Sequence, residues 1–382
     1  MEPTILIRSC TPIALTAIGM GPFQEKPFHL EFLNREKESC NFFLLISANA
    51  RGKTTLLEAM TNLMALLDPK ATPASPQKRL WSNPRACAQL DLRLVVNMDG
   101  VVREVLLTLA AGPGRPHEIR SWENSTLREV QTEQHLWISW KRSPGGHWSL
   151  EKSKDPLIDE LRAQVGMEME NVYETFGPDS IAVPSLLYFD AYRDIPTVED
   201  RNESISRPPE WVFRPHHHFG LRGDQWQHSL DNLLVWLTWL DDGRDKEVQD
   251  LLNRFVFTGT NKKLNPISRQ YMEARVSSGE TTHMLDQLSS GEKSLVQLLL
   301  RIHLHLTENC VILIDEIDAH LHVKLQHRLY QALKQLIREN PSITLIATTH
   351  SMELIDQFTT DMDAGEPLLR LGGHLIDLDE IY

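Results

Sequence analysis

The sequence predicts an α/β fold in which apolar strands end in loops that carry the chemistry. Three observations support this expectation. The run Phe42–Ile46 leads through a tight loop into Gly52-Lys53-Thr54 and then into a segment whose apolar residues recur at helical spacing. The run Val311-Ile312-Leu313-Ile314 is apolar, of strand length, and ends in two acids, Asp315-Glu316. The run Ile343-Thr344-Leu345-Ile346-Ala347-Thr348 has the same buried-strand pattern and is followed by Thr349-His350-Ser351. Short apolar runs bounded by small or polar residues read as buried strands.

In the first segment, Ser47-Ala48-Asn49-Ala50-Arg51-Gly52-Lys53-Thr54-Thr55 separates the strand from Leu56-Leu57-Glu58-Ala59-Met60. A loop that opens a helix on Gly-Lys-Thr turns backbone N–H groups and the helix N-terminus toward phosphates. The Lys adds a point charge at the terminal phosphates, and the first Thr hydroxyl reaches Mg²⁺. Asn49, Ala50, Arg51, Gly52, Lys53, Thr54 and Thr55 are therefore the candidate phosphate-binding residues. The usual pattern starts with Gly where this chain has Ser47, and Ala50 stands where Gly is frequent. Both residues are small, but neither tolerates positive φ as Gly does. Taken alone, the segment also admits an ordinary strand–helix turn with a chance Gly-Lys-Thr.

Two acids ending a buried strand are costly unless they work on a cation or a proton. In an ATPase built on such a loop, Asp315 would hold Mg²⁺ and Glu316 would orient or deprotonate the attacking water. Two solvated acids at a strand end form the competing reading. Upstream, Leu288-Ser289-Ser290-Gly291-Glu292-Lys293 feeds the apolar helix pattern that follows Ser294. Its helix N-terminus is a second anion site, although Ser-Ser-Gly is common at helix starts. A lone His350 after a strand is, by itself, more often a loop residue than a catalytic one.

The order of these segments resembles the head of ABC-type ATPases, where they are the Walker A, signature, Walker B and switch-His motifs. In that family the signature precedes the Walker B acids by roughly twenty residues, as it does here. Asp315-Glu316-Ile317-Asp318-Ala319-His320-Leu321-His322 is similar to the D-E-x-E-x-H-L-H-P segment of the RecF, SMC and OLD branch, which includes many prokaryotic antiviral ATPases. Asp318 stands for the usual acid, and Val323 stands where Pro is common. Thr348-Thr349-His350-Ser351 matches that branch's T-H-S. The resemblance implies a P-loop NTPase head with ATP and Mg²⁺ as cofactors. It implies two heads face to face with two ATP molecules between them. Lys53 and the loop amides would hold phosphates, Thr54 and Asp315 the metal. Glu316 would be the general base, and His350 would sense the γ-phosphate. Ser289, Ser290 and Gly291 would reach the partner's nucleotide.

Composition narrows the class further. The chain has 382 residues, 41% hydrophobic and 24% charged, which is ordinary for a globular protein and enough for a large core or two lobes. No apolar run approaches membrane-spanning length, and the N-terminus reads as a first strand rather than a signal peptide. Four scattered cysteines suit a reducing cytoplasm and give no zinc pattern. A formal net charge of −13 argues against a surface coated for nucleic acid, though not against a local basic groove.

Residues 1–150 read as a β-rich lobe carrying the P-loop. Its strand candidates are Ile5–Arg8, Phe28–Phe32, Phe42–Ile46, Ala88–Val96, Val102–Leu109 and His135–Trp140. The P-loop helix is expected from Lys53 to about Leu67, stopped by Pro69. Residues 151–275 read as a helical and irregular insertion with no sustained heptad, hence a head without a coiled-coil arm. Within it, Leu230–Leu240 is an expected helix whose tryptophans suit a core, and Ser185–Phe189 a strand. In many relatives a strand of this kind ends in a loop whose Gln touches Mg²⁺; Asp190 and Gln89 are weak substitutes here. Arg193 is a candidate site residue set against an exposed loop Arg. His216-His217-His218, inside the Pro- and Arg-rich stretch 195–225, are expected in an exposed loop open to partner contact. Residues 276–382 carry the signature, Walker B and switch-His segments. They are expected to close in a hairpin around Gly372-Gly373, with no room for a TOPRIM nuclease domain.

Together these features predict a cytoplasmic ATP-hydrolysing switch, dimeric or larger, that governs a separate effector such as a nuclease or toxin in bacterial antiviral defence. The alternatives are a RecF-like repair ATPase acting on DNA, a transporter ATPase, whose Walker B surroundings differ, and a scaffold that binds ATP without hydrolysing it. Intact Glu316 and His350 argue against the last.

Overall fold

The computed structural model describes residues 5–48, 51–71, 79–170, 182–193, 213–220, 230–267 and 273–377. Two six-stranded sheets dominate. The first runs β2 (Phe28–Glu31), β1 (Ile5–Ile18), β4 (Cys87–Met98), β5 (Val101–Pro113), β6 (Gln134–Arg142), β7 (Trp148–Lys152). It is antiparallel except where β6 lies parallel to β5, the short helix α2 (Asn124–Glu129) making the crossover. Strand β1 is much longer than the expected Ile5–Arg8. It accommodates Pro12 beside a register shift, where a missing N–H costs the ladder little.

The second sheet runs β15 (Leu371–Leu375), β3 (Phe42–Ile46), β14 (Thr344–Thr349), β13 (Cys310–Ile314), β8 (Ser185–Phe189), β9 (His216–Phe219), every neighbouring pair parallel. Strands β8, β13 and β14 are buried at every residue, which is why they read as unbroken apolar runs in sequence. A small antiparallel sheet, β10 (Lys262–Leu264), β11 (Arg275–Ser278), β12 (Thr281–Met284), precedes the signature segment.

Helix α1 (Lys53–Met64), extended by one 3-10 turn at Ala65–Leu67, lies between the sheets and touches β1, β4 and β5 on one side and β8 on the other. It is therefore buried around most of its circumference. Its buried Thr61 and Asn62 satisfy themselves by donating to the carbonyls of Leu57 and Glu58. Helix α3 (Pro156–Glu170) packs against β1. Helices α4 (Leu230–Leu240) and α5 (Arg244–Phe255) pack on each other, and α5 also meets α6 (Ser290–His305) and α7 (Val323–Glu339). Helix α8 (Met352–Ala364) packs on α7. One continuous apolar core joins both sheets, from Leu15, Leu90 and Leu107 through Leu56 and Met60 to Leu45, Ile312 and Leu345.

Three expectations are corrected. The chain end is not a hairpin: Gly372 and Gly373 lie inside β15, paired in parallel with Phe43 and Leu44. A Cβ on Gly372 would sit 2.4 Å from Cys40 Sγ and 3.0 Å from the Leu33 carbonyl, so the glycine marks a close approach rather than a turn. The three histidines form an edge strand rather than an exposed loop, with His217 buried. Of the α4 tryptophans, Trp236 packs on the core, but Trp239 is 56% exposed.

Gly372→Val should overpack this corner and destabilise the fold by about 1–3 kcal/mol. A lower thermal midpoint checks it. Gly145→Ala, where the nearest atom is 3.5 Å from the new Cβ, should leave the midpoint unchanged.

Candidate nucleotide site

Because the second sheet is parallel, the C-terminal ends of β3, β13, β14 and β8 all open on one edge, the usual place for a ligand in such sheets. Each end carries a residue singled out in the sequence. After β3 the P-loop begins; Asn49 and Ala50 lie outside the described residues. Ser47, in the place of the first Gly, does not adopt positive φ, so glycine is not required there. Its hydroxyl donates to the Ala48 carbonyl at 2.9 Å and faces Lys53 Nζ at 3.2 Å. Lys53 Nζ also donates to the carbonyls of Ser47 and Ala48, at 2.7 and 3.3 Å. Burial lowers the Lys53 pKa, and Asp315, Glu316 and Asp318 only partly offset that. Gly52 takes the left-handed conformation (φ 90°), and a Cβ there would meet the Phe23 ring at 2.6 Å, so this glycine is obligatory. Arg51 donates to the Ile376 carbonyl at 3.2 Å and ties the loop to the segment after β15.

Thr54 and Asp315 come together: Thr54 Oγ1 donates to Asp315 Oδ2 at 2.5 Å. The other Asp315 oxygen accepts from Thr348 Oγ1 at 2.7 Å, and the same Thr348 oxygen accepts the Glu316 N–H at 2.7 Å. A hydroxyl and a carboxylate in contact at a P-loop helix N-terminus are the oxygen donors that suit Mg²⁺, which takes few protein ligands and keeps its waters. Glu316 has φ 45°, an uncommon backbone state for a non-glycine residue. A cleft of about 550 Å³ is lined by Thr54, Thr55, Asp190, Tyr192, Asp315 and Glu316 on one wall. Gly19–Gly21, Gln24 and residues 79–83 contribute to the opposite side.

His350 is half exposed, with Nδ1 3.3 Å from Asp318 Oδ2; Thr349 Oγ1 donates to the other Asp318 oxygen at 2.5 Å. Asp318 thus orients His350, a role the sequence did not assign to it. At the signature, Ser289 caps α6 and forms a capping box with Glu292. Glu292 is in turn gripped by Lys262 at 2.8 and 2.9 Å. Burial alone would raise the Glu292 carboxyl, but Lys262 and Ser289 outweigh it and hold the pKa below the usual value. Gly291 is buried, and a Cβ there would meet Leu325 at 2.9 Å and the His320 carbonyl at 3.0 Å. Ser289 and Ser290 are exposed and do not line the cleft.

Of the weaker candidates, Gln89 is a structural residue, donating to Asp91 and to the Arg120 carbonyl inside the first sheet. Asp190 does reach the cleft wall and is held by His218 Nε2 at 2.8 Å. Arg193 is not an exposed loop residue: it is 2% exposed and lies under Asp315 and Glu316. Most of the 195–225 stretch lies outside the described residues.

Residues 175–356 match the family described as "AAA domain, putative AbiEii toxin, Type IV TA system". No curated protein matches the chain. Among solved structures, an SMC head bound to the C-winged helix domain of ScpA is similar at 13% identity and a TM-score of 0.46, covering 91% of this chain and 92% of that one. The SMC head domain from Thermotoga maritima is similar at 14% identity and a TM-score of 0.36, covering 91% of each chain. A dimeric bacterial ABC transporter cassette is similar at 13% identity and a TM-score of 0.33, covering 92% and 89%. The family match spans just under half of the chain, and the order and convergence of the motifs are consistent with a P-loop NTPase fold similar to the ABC-type ATPase heads of the RecF/SMC branch.

Lys53→Ala removes the buried ammonium of the P-loop cradle and should abolish ATP binding in calorimetry. Unchanged affinity would remove the loop from the site.

Proposed function

We propose that the chain is an ATP-driven switch. Two copies close face to face over two ATP molecules, hydrolysis reopens them, and the closed state controls a separate effector, as the ATPase subunit of a bacterial antiviral defence system does. The observation that carries this reading is the incompleteness of the site in a single chain. Thr54, Asp315 and Glu316 share a cleft, whereas Ser289 and Ser290 crown an exposed, preformed helix N-terminus and are not among the residues that line it. A rigid anion-binding turn aimed at solvent is what a second copy would need to complete its own site. The family description, which joins an AAA domain to a putative toxin of a Type IV TA system, supports an ATPase tied to a toxic activity of this kind.

In this reading the P-loop amides and Lys53 hold the phosphates. Thr54 and Asp315 would hold Mg²⁺, which when bound neutralises charge on the phosphate oxygens. Glu316 takes a proton from the attacking water as the bond to the ADP leaving group breaks. His350, oriented by Asp318, contacts the γ-phosphate. Ser289 and Gly291 act across the interface, so ATP binding contributes to dimer closure.

Two variants test the reading. Ser289→Arg should leave ATP affinity in the monomer nearly intact and abolish most turnover, since the clash exists only in the closed dimer; turnover at the wild-type rate would exclude the composite site. Glu316→Gln should keep nucleotide binding, slow hydrolysis, and give a larger and longer-lived assembly with ATP and Mg²⁺ on size-exclusion chromatography. Slow hydrolysis with unchanged assembly would retain the base but exclude dimer closure.

A further inference from the structure

Arg193 follows β8 by four residues and is buried beneath the site. Its guanidinium makes four hydrogen bonds, none to a carboxylate. Nε donates to Ser294 Oγ at 3.0 Å, on the first turns of the signature helix α6. Nη1 donates to the carbonyls of Asp190 and Asp315 at 2.8 and 2.7 Å, and Nη2 to the Glu316 carbonyl at 2.8 Å. One planar cation thereby joins the end of β8, both residues ending β13, and α6. The Glu316 backbone is pinned from both sides: its N–H is held by Thr348 Oγ1 and its carbonyl by Arg193. That pinning falls on the one non-glycine residue lining the cleft with φ in the left-handed region (45°), a state that persists only where the surroundings over-determine it.

We propose that Arg193 is a positioning residue for hydrolysis: from its anchor on Ser294 it fixes the Glu316 backbone, and through it the direction of the Glu316 carboxylate. The planar fork matters more than the charge. A lysine in its place keeps the cation but cannot reach three carbonyls and a hydroxyl in fixed directions. The inference rests on Glu316 being the general base, and the experiment separates the two ideas.

Arg193→Lys is compared with wild type, and again in the Glu316→Gln background, by steady-state and single-turnover ATP hydrolysis alongside calorimetric ATP affinity. In the wild-type background kcat should fall by about 100-fold, the scale of a base displaced by about an ångström, with ATP affinity unchanged. In the Glu316→Gln background the same substitution should cost nothing further, because the group it positions is already gone. Ser294→Ala keeps the guanidinium and its three carbonyl bonds, and should give a smaller kcat loss that likewise vanishes in the Glu316→Gln background. It carries the test if Arg193→Lys does not fold. Losses that multiply with Glu316→Gln, or a fall in ATP affinity matching the fall in turnover, would overturn the positioning role and leave Glu316 as base. Wild-type turnover in Glu316→Gln alone would overturn the base assignment and this proposal with it.

Discussion

The contact between Thr54 and Asp315 is the constraint on which the rest of this structure depends. It joins the helix that follows β3 to the end of β13, and Thr348 at the end of β14 completes the grip on the same carboxylate. Three neighbouring parallel strands are thereby registered at one edge by a single side chain. Such a carboxylate is costly to bury unless its oxygens are satisfied, and here each oxygen accepts a hydroxyl. Both hydroxyls are neutral, so the negative charge is solvated by dipoles but not cancelled. The site is set up to receive a cation.

The same imbalance extends around the cleft. Asp190, Asp315 and Glu316 line it, buried Asp318 lies nearby, and Lys53 and Arg193 supply positive charge from beneath. Burial lowers the Arg193 pKa to about 10, with Asp315, Asp318, Glu316 and Asp190 opposing the shift, so the guanidinium remains charged at neutral pH. Its hydrogen bonds go only to carbonyls and a hydroxyl, so it hydrogen-bonds none of these carboxylates. An ion pair in that position would have tied up an acid; a carbonyl clasp fixes the backbone and spares the side chains.

Much of this was legible in the sequence because strands buried on both faces appear as unbroken apolar runs, and each chemical residue sits where such a run stops. Phe42–Ile46 and Ser185–Phe189 coincide with observed strands for that reason, and the apolar segment Leu230–Leu240 coincides with helix α4. Where structure and expectation differ, the cause is shared: local composition does not fix conformation. Gly372-Gly373 resembles a turn, but the glycine is demanded by Cys40 across the sheet. His216–His218 sits in Pro- and Arg-rich surroundings, yet alternates between half-buried and buried with the period of a strand. What no local pattern contains is the long-range support: Lys262 behind Glu292, Ser294 beneath Arg193, Asp318 behind His350. Those partners are tens to a hundred residues apart, or lie on different strands, and only the fold brings them together.

The antiparallel sheet is more than a flank to this machinery. Its β1–β2 loop lies directly against the P-loop: Phe23 occupies the space a Cβ on Gly52 would need, and Thr55 that of a Cβ on Gly21. Helix α1, which starts at Lys53, lies between the two sheets, with its first turns open to the cleft. Protein interiors are close-packed and deform little. A shift of the P-loop on loading phosphates therefore cannot be absorbed locally, and must move α1 against both sheets or be resisted by both. The first sheet thus has a mechanical role: by packing on Gly52 and on α1 it makes the loop before α1 part of a rigid body.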